Sequence, residues 1–183
     1  MFEVTIKIEI INKSKLILEK INLGRRGIAD GNYDEQMVGL LGQLTIYDLL
    51  KIESPKFEQD KFDGGFDIII NQFKIDIKTM GRSVDIKDHY VHNFIGLQKN
   101  YENDLYIFCS YNKKREVIQV CGWINKDDFF KKCSFFKKGE KRYRDDGSYF
   151  ITKADLYEIK NSDLISLNNL DELKNVGSPI RKT

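Results

Sequence analysis

Gly64-Gly65-Phe66-Asp67-Ile68-Ile69-Ile70-Asn71-Gln72-Phe73-Lys74-Ile75-Asp76-Ile77-Lys78 is the stretch that decides how this chain is read. Apolar and polar residues alternate on both sides of Asn71-Gln72, the period of two half-buried strands joined by a tight turn. An even loop centred there pairs Ile70 with Phe73, Ile69 with Lys74, Ile68 with Ile75 and Asp67 with Asp76. Phe66, Ile68, Ile70, Phe73, Ile75 and Ile77 then share a core face, whereas Asp67, Ile69, Lys74, Asp76 and Lys78 share the other. Carboxylates directly across a strand pair stand roughly 4.5–5.5 Å apart at their β-carbons and oppose pairing unless something positive lies between them. A divalent cation supplies that charge, because a hard ion such as Mg²⁺ takes oxygen ligands, retains waters and accepts a phosphate oxygen. Lys78 is placed to contact an attacking water or the charge developing on phosphorus, so these are parts for metal-assisted phosphodiester hydrolysis. The plainer reading is a solvated sheet face on which Asp and Lys pair without chemistry. Asp is disfavoured in strands, and Gly64-Gly65 leaves the approach open, which weighs toward the chemical reading.

Asp67, eight residues, then Asp76-Ile77-Lys78 resembles the signature of the PD-(D/E)XK, or restriction-endonuclease-like, nucleases. Phe66 stands where the motif's name has proline. The resemblance implies Asp67 and Asp76 as ligands of Mg²⁺ or Mn²⁺, the Ile77 backbone carbonyl as a further ligand, and Lys78 as the lysine that assists the nucleophilic water. It also implies an α/β fold with a restriction-endonuclease-like core, a central mixed β-sheet flanked by α-helices. Many members carry a glutamate on a helix before the motif, and Asp34-Glu35-Gln36-Met37-Val38-Gly39-Leu40-Leu41-Gly42-Gln43 is similar to that helix, with Glu35 as the catalytic acid and metal ligand. Some relatives place the glutamate where Gln43 stands, and that alignment would put an amide in the slot. Asn32-Tyr33-Asp34-Glu35 reads equally as a capping box, in which Glu35 serves the helix start. Gly39 and Gly42 fall on the side of Glu35 and each costs about 1 kcal/mol relative to Ala, so this side is expected to approach other backbone closely.

Outward from this core, Met37, Leu40, Leu41, Leu44 and Tyr47 recur every three or four residues, which predicts a helix from Tyr33 to about Lys51. Phe2 to Ile11 alternates and reads as a strand, followed by a short helix from about Ser14 with Gly24 as its stop. Asp104 to Ser110 and Val117 to Ile124 read as strands, Asp127 to Lys132 as a short helix, and Lys131 to Arg144 as a basic, aromatic loop. A strand near Ile151 and a helical fragment from Leu170 to Leu173 complete the chain, which has no linker and is expected to form one domain over residues 1–183.

The 183 residues are 41% hydrophobic and 32% charged, enough apolar material for a core, which excludes a disordered chain. The longest apolar run, Leu105 to Cys109, is far short of the ~20 residues that span a bilayer, so a cytoplasmic protein without membrane attachment is expected. Net charge is +2, but residues 111–144 hold 11 Lys/Arg against 4 Asp/Glu, a basic bias that fits a polyanion. Lys137, Lys138, Lys141, Arg142 and Arg144 could hold a phosphate backbone while Phe135, Phe136 or Tyr143 stack bases, and Arg25 and Arg26 could touch phosphates; a solvated loop and a cation-bearing helix end explain them as well. Cys109, Cys121 and Cys133 form no closed disulfide set, and His89 and His92 lack zinc partners at familiar spacing, so these read as core or surface residues. No phosphate-binding loop, nucleophile elbow or dinucleotide fingerprint is present. The expectation is a metal-dependent DNA endonuclease, with RNA open as substrate. The alternative is a non-catalytic nucleic-acid-binding or regulatory domain that keeps the nuclease fold. Homodimers are common among such enzymes, and no residue here marks an interface.

Overall fold

A turn with both central residues at positive φ, Asn71 at 50° and Gln72 at 72°, closes the decisive hairpin, matching the twist of the strands it joins. Its register is Ile68 with Ile75, Ile69 with Lys74 and Ile70 with Phe73, as the alternation requires. The computed structural model describes residues 1–23, 31–57, 65–144 and 147–178. In chain order these form β1 (Phe2–Thr5), α1 (Ile8–Lys20), α2 (Tyr33–Leu50), β2 (Ile68–Ile70), β3 (Phe73–Arg82), β4 (Val91–Ile95), β5 (Leu105–Asn112), β6 (Val117–Asn125), α3 (Lys126–Lys132), β7 (Ser134–Phe136), β8 (Lys141–Tyr143), β9 (Tyr149–Ile151), β10 (Leu156–Lys160), β11 (Ile165–Ser166) and α4 (Leu170–Lys174).

The central sheet runs β1-β6-β5-β3-β2, with β11 also on β6. It is mixed: β3 and β5 are parallel, and the remaining pairs are antiparallel. Because β5 is covered on both faces, it reads as a continuous apolar run, Leu105 to Cys109, rather than an alternation. One face carries Ile75, Ile77, Ile107 and Val120 against Leu41, Leu44 and Tyr47 of α2, Ile10 of α1 and Leu173 of α4. The other carries Tyr106 and Phe108 against Phe94 of β4, Phe129 of α3 and Ile159 of β10. A second sheet, β4-β10-β7, and a separate β8–β9 pair belong to that side. The fold is thus mixed α/β with a central mixed sheet flanked by helices. Among the described residues no helix is long and apolar enough to cross a membrane.

Three segments depart from expectation. The first strand ends at Thr5 and the helix starts at Ile8, not near Ser14. Alternating isoleucines fit either period, and burial chooses the helix: Ile10 and Ser14 are buried one turn apart while Ile8 is 60% exposed. Ser14 tolerates the core because its hydroxyl donates to the Ile10 carbonyl at 2.9 Å. The basic aromatic segment is not a loop but contains the end of α3, β7 and β8, strands of three residues that are too short to show a period. Beside β10, β4 is a strand whose inward positions are His92 and Phe94; the polar one disguises the alternation. Gly24 lies outside the described residues.

Candidate functional site

Only the first three residues of β3 are paired by β2, so among the described residues that side of β3 has no strand neighbour from Asp76 onward. Lys74 faces β5, its carbonyl accepting from Asp104 N–H at 2.7 Å, so by alternation the N–H and carbonyl of Ile77 face the open side. Asp67, at the bend before β2, closes onto that edge. Its N–H donates to the Ile75 carbonyl at 2.8 Å, and its Oδ2 accepts from Ile77 N–H at 2.6 Å. From α2, Gln43 Nε2 donates to Asp67 Oδ1 at 2.9 Å, and the Tyr47 hydroxyl donates to the Asp67 carbonyl. Gln43 and Tyr47 are four residues apart and share one face of the helix, so one face of α2 grips the first acid at two points.

Asp76 is 5% exposed and sits on the aromatic face of the sheet. Lys78 Nζ lies 2.6 Å from its Oδ2, and among the described residues no hydrogen bond reaches that buried oxygen besides this ion pair. The lysine is held over the Phe94 ring, 5.7 Å from its centroid. β4 is in turn fixed to β3: Arg82 donates to the Val91 carbonyl at 2.5 Å, and Asn93 N–H points at Met80 Sδ at 3.2 Å. Because Ile77 N is one peptide bond from Asp76, the Asp67 carboxylate reaches within about 5 Å of the Asp76 Cα. Asp67 thus closes on the β3 edge beside Asp76 and Lys78 through the Ile77 N–H, and not as the expected cross-strand partner of Asp76, because the β2–β3 ladder ends at Ile68 and Ile75.

The helix residues are disposed differently from the first alignment. Glu35 is exposed in a complete capping box, its Oε2 accepting from Asn32 N–H and its own N–H donating to Asn32 Oδ1, both at 2.9 Å. It stands about 12 Å before Gln43 along α2, so the helix side chain at Asp67 is the amide, not the glutamate. Where α2 crosses β3 is set by Gly42, at which a Cβ would come within 1.8 Å of Thr79 Oγ1. Gly39 has nothing within 4 Å of that position, so only the second glycine serves a close approach.

A cleft of about 1540 Å³ runs along this edge and is lined by Glu35, Gln43, Asp67, Asp76 and Lys78 on the α2–β3 side. Arg144, Phe150 and Lys153 line it from the segment around β9. Among the described residues no three His, Cys, Asp or Glu side chains converge to hold a metal. Two carboxylates with one backbone carbonyl form a sparse oxygen set, which suits Mg²⁺ because that ion keeps several waters. Among the described residues the buried Asp76 Oδ2 meets no group but the Lys78 ammonium, and a carboxylate oxygen so placed is of the kind that fits such an ion.

The basic residues separate. Arg142 is partly internal: its Nε donates to the buried carboxylate of Glu158 at 2.6 Å and its guanidinium lies over Phe136 at 5.2 Å, which fixes its direction. Lys137, Lys138 and Lys141 are exposed around the β7–β8 turn, and Arg144 is exposed over Phe150 at 5.2 Å, in the cleft wall. Arg25 and Arg26 lie outside the described residues. His92 is buried and bonded to Asn161 at 3.2 Å, and burial pushes its pKa down to about 4; His89 is exposed against Tyr90. Burial raises the Cys109 thiol well above its usual range and takes Cys121 up to about 12, so neither supplies a thiolate nucleophile. As site residues, Tyr47 and the β9 side chains escaped the sequence reading; the pairing of Gln43 and Tyr47, one turn apart on the same side of the helix, was the available signal. Compared with known proteins, the chain matches no family model, no curated protein and no solved structure.

Proposed function

We propose that the cleft along β3 is the active centre of a divalent-metal-dependent nuclease with a restriction-endonuclease-like core, hydrolysing phosphodiester bonds in DNA as an endonuclease. The observation that carries this reading is the buried Asp76–Lys78 pair on the same unpaired edge to which Asp67 is anchored. Asp67, Asp76 and the Ile77 carbonyl would hold Mg²⁺ or Mn²⁺. When bound, such an ion supplies Lewis-acid stabilisation of phosphoryl oxygens and a more acidic water. Asp67 enters the reaction already oriented, since Gln43, Tyr47 and Ile77 N–H fix it before substrate arrives. Lys78 has three ammonium donors, of which Asp76 takes one, so the others can orient a water or meet a phosphate oxygen. Its contact with Phe94 limits the directions from which it can do so.

One observation favours the second reading, a non-catalytic nucleic-acid-binding domain: the α2 position at Asp67 holds the amide of Gln43 instead of an acid. The two separate in one experiment. Linear, circular, single-stranded and branched DNA are incubated with the wild-type chain, Asp76→Asn and Lys78→Ala, with and without Mg²⁺ or Mn²⁺. Metal-dependent cutting that both substitutions lower by about 100-fold or more supports the enzyme, a loss typical of a removed charge-stabilising group. Binding without cutting supports the second reading, and cutting that survives both substitutions rejects the assigned chemistry.

A further inference from the structure

β8 and β9 pair with each other in a two-stranded sheet, with Lys141 across from Ile151, Arg142 across from Phe150 and Tyr143 across from Tyr149. Alternation gives this hairpin two faces. Arg142 turns inward to Glu158, so Lys141, Tyr143, Tyr149 and Ile151 make the outward face. Its large side chains are open to solvent, Tyr143 at 57%, Tyr149 at 52% and Ile151 at 49%. The two tyrosine rings lie 5.7 Å apart and the Lys141 ammonium sits 4.7 Å over Tyr149. On the opposite parity, Phe150 with Arg144 above it forms part of the wall of the cleft that contains Asp67, Asp76 and Lys78.

A two-residue aromatic pair would be enough to support a short hairpin. It does not explain why three apolar side chains and a lysine face outward together beside the cleft, since exposed apolar surface of this kind marks a contact site. We infer that β8–β9 is a stacking platform for single-stranded nucleic acid, on which Tyr143 and Tyr149 receive bases and Lys141 receives a flanking phosphate. This names the substrate class of the cleft and rests on the nuclease reading. A single strand fits because its base faces are free to stack, whereas in a duplex they are covered by neighbouring pairs. The resident Lys141–Tyr149 contact does not block this: an exposed cation–π contact is worth about 0.5–1 kcal/mol, against about 1–3 kcal/mol for a stacked base. The cation moves to the phosphate as the base takes the ring.

Fluorescence anisotropy of labelled oligothymidylate, oligouridylate and a duplex of equal length, in EDTA so that nothing is cut, tests the platform with the full chain. The wild type should bind the single strands at least about tenfold more tightly than the duplex, and the ratio of the DNA to the RNA oligomer reports which source the site prefers. Replacing both tyrosines by alanine should weaken single-strand binding by at least about 5- to 150-fold, the equivalent of one of the two stacks lost, while the double phenylalanine variant, which keeps both rings and controls for folding, should bind as the wild type does. Equal affinity for duplex, absent oligonucleotide binding, or an alanine variant that binds like wild type overturns the platform. Wild-type cleavage in Mg²⁺ is scored in parallel. Tyrosine-dependent binding without cleavage rejects the hydrolytic reading alone, and cleavage with tyrosine-independent binding rejects the platform alone.

Discussion

Removing the Lys78 ammonium while keeping its stem, as Lys78→Met, isolates the charge at the centre of the proposed site. The carboxylate left behind belongs to Asp76, whose side chain is 7% exposed against 17% for Lys78, and among the described residues its Oδ2 has no other hydrogen-bond partner. Breaking a buried ion pair by deleting one partner costs about 3–5 kcal/mol, because the survivor is an uncompensated buried charge. The edge of β3 borders an open cleft, so water reaches the survivor in part and the lower end of that range applies. For a chain of this length each kcal/mol moves the melting midpoint by about 2–4 °C, which gives a fall of roughly 6–12 °C for a loss of about 3 kcal/mol.

The second arm of the same experiment separates an ion pair that merely holds the fold from one that shares its acid with a metal. If Asp76 is a ligand, a divalent cation takes the place of the lost ammonium. Mg²⁺ at about 100 times its dissociation constant would return about 2.7 kcal/mol, most of the deficit. Circular-dichroism melts of wild type, Lys78→Met and the double variant Lys78→Met/Asp76→Asn, in EDTA and in rising Mg²⁺, read both effects. The expected pattern is a large loss in EDTA for Lys78→Met, recovery with Mg²⁺, and neither in the double variant. A midpoint for Lys78→Met within about 2 °C of wild type would refute the energetic argument, since less than about 1 kcal/mol would then be at stake. An identical Mg²⁺ response with and without Asp76 would refute its role as a ligand.

Gly42→Ala should destabilise by about 2 kcal/mol or more, because a Cβ within 1.8 Å of Thr79 Oγ1 costs more than the helix gains, whereas Gly39→Ala, with nothing within 4 Å, should gain up to about 1 kcal/mol; urea denaturation of the two variants side by side checks both signs. His92 gives a pH signature. Its folded pKa of about 4 lies below the ordinary 6.5, so above pH 6.5 it is neutral in both states, and as the pH falls toward 4 the unfolded chain takes up a proton that the folded chain cannot, lowering stability by up to about 3 kcal/mol. Denaturant titrations of His92→Gln across that window should show a flatter dependence than wild type, and parallel curves would mean that His92 is not the group responsible.

The parts of this molecule that sequence revealed are those where one local rule acts alone. The β2–β3 hairpin announces itself because a core face, a polar face and a turn of left-handed residues agree on a single register. α2 does so because its apolar positions keep a helical period from Met37 to Tyr47. The second sheet was hidden for the opposite reason. β7 and the separate β8 and β9 are three residues long, and β4 and β10 bury His92 and Glu158 on opposite faces of their sheet, where partners distant in sequence, Asn161 and Arg142, make a buried polar group tolerable. Both roles considered for Glu35 were legible in Asn32-Tyr33-Asp34-Glu35, but the choice between them depends on where α2 crosses the hairpin, which no local pattern contains.

That crossing point has an electrostatic consequence. Gly42 seats α2 against Thr79, and with the helix at that height Gln43 rather than Glu35 is delivered to Asp67. With an amide there, the centre comprises Asp67, Asp76 and Lys78, a formal charge of about −1 when all three are ionised. A glutamate in the same place would add a like charge beside Asp67 and would need a cation to hold it; the amide instead donates a hydrogen bond. The arrangement therefore keeps Asp67 in position before any metal binds. In the proposed centre this would exchange part of the attraction for a cation for geometry that is already set, and at an edge supported on one side by a three-residue strand, that fixed geometry would let Asp67 and Asp76 act as one site.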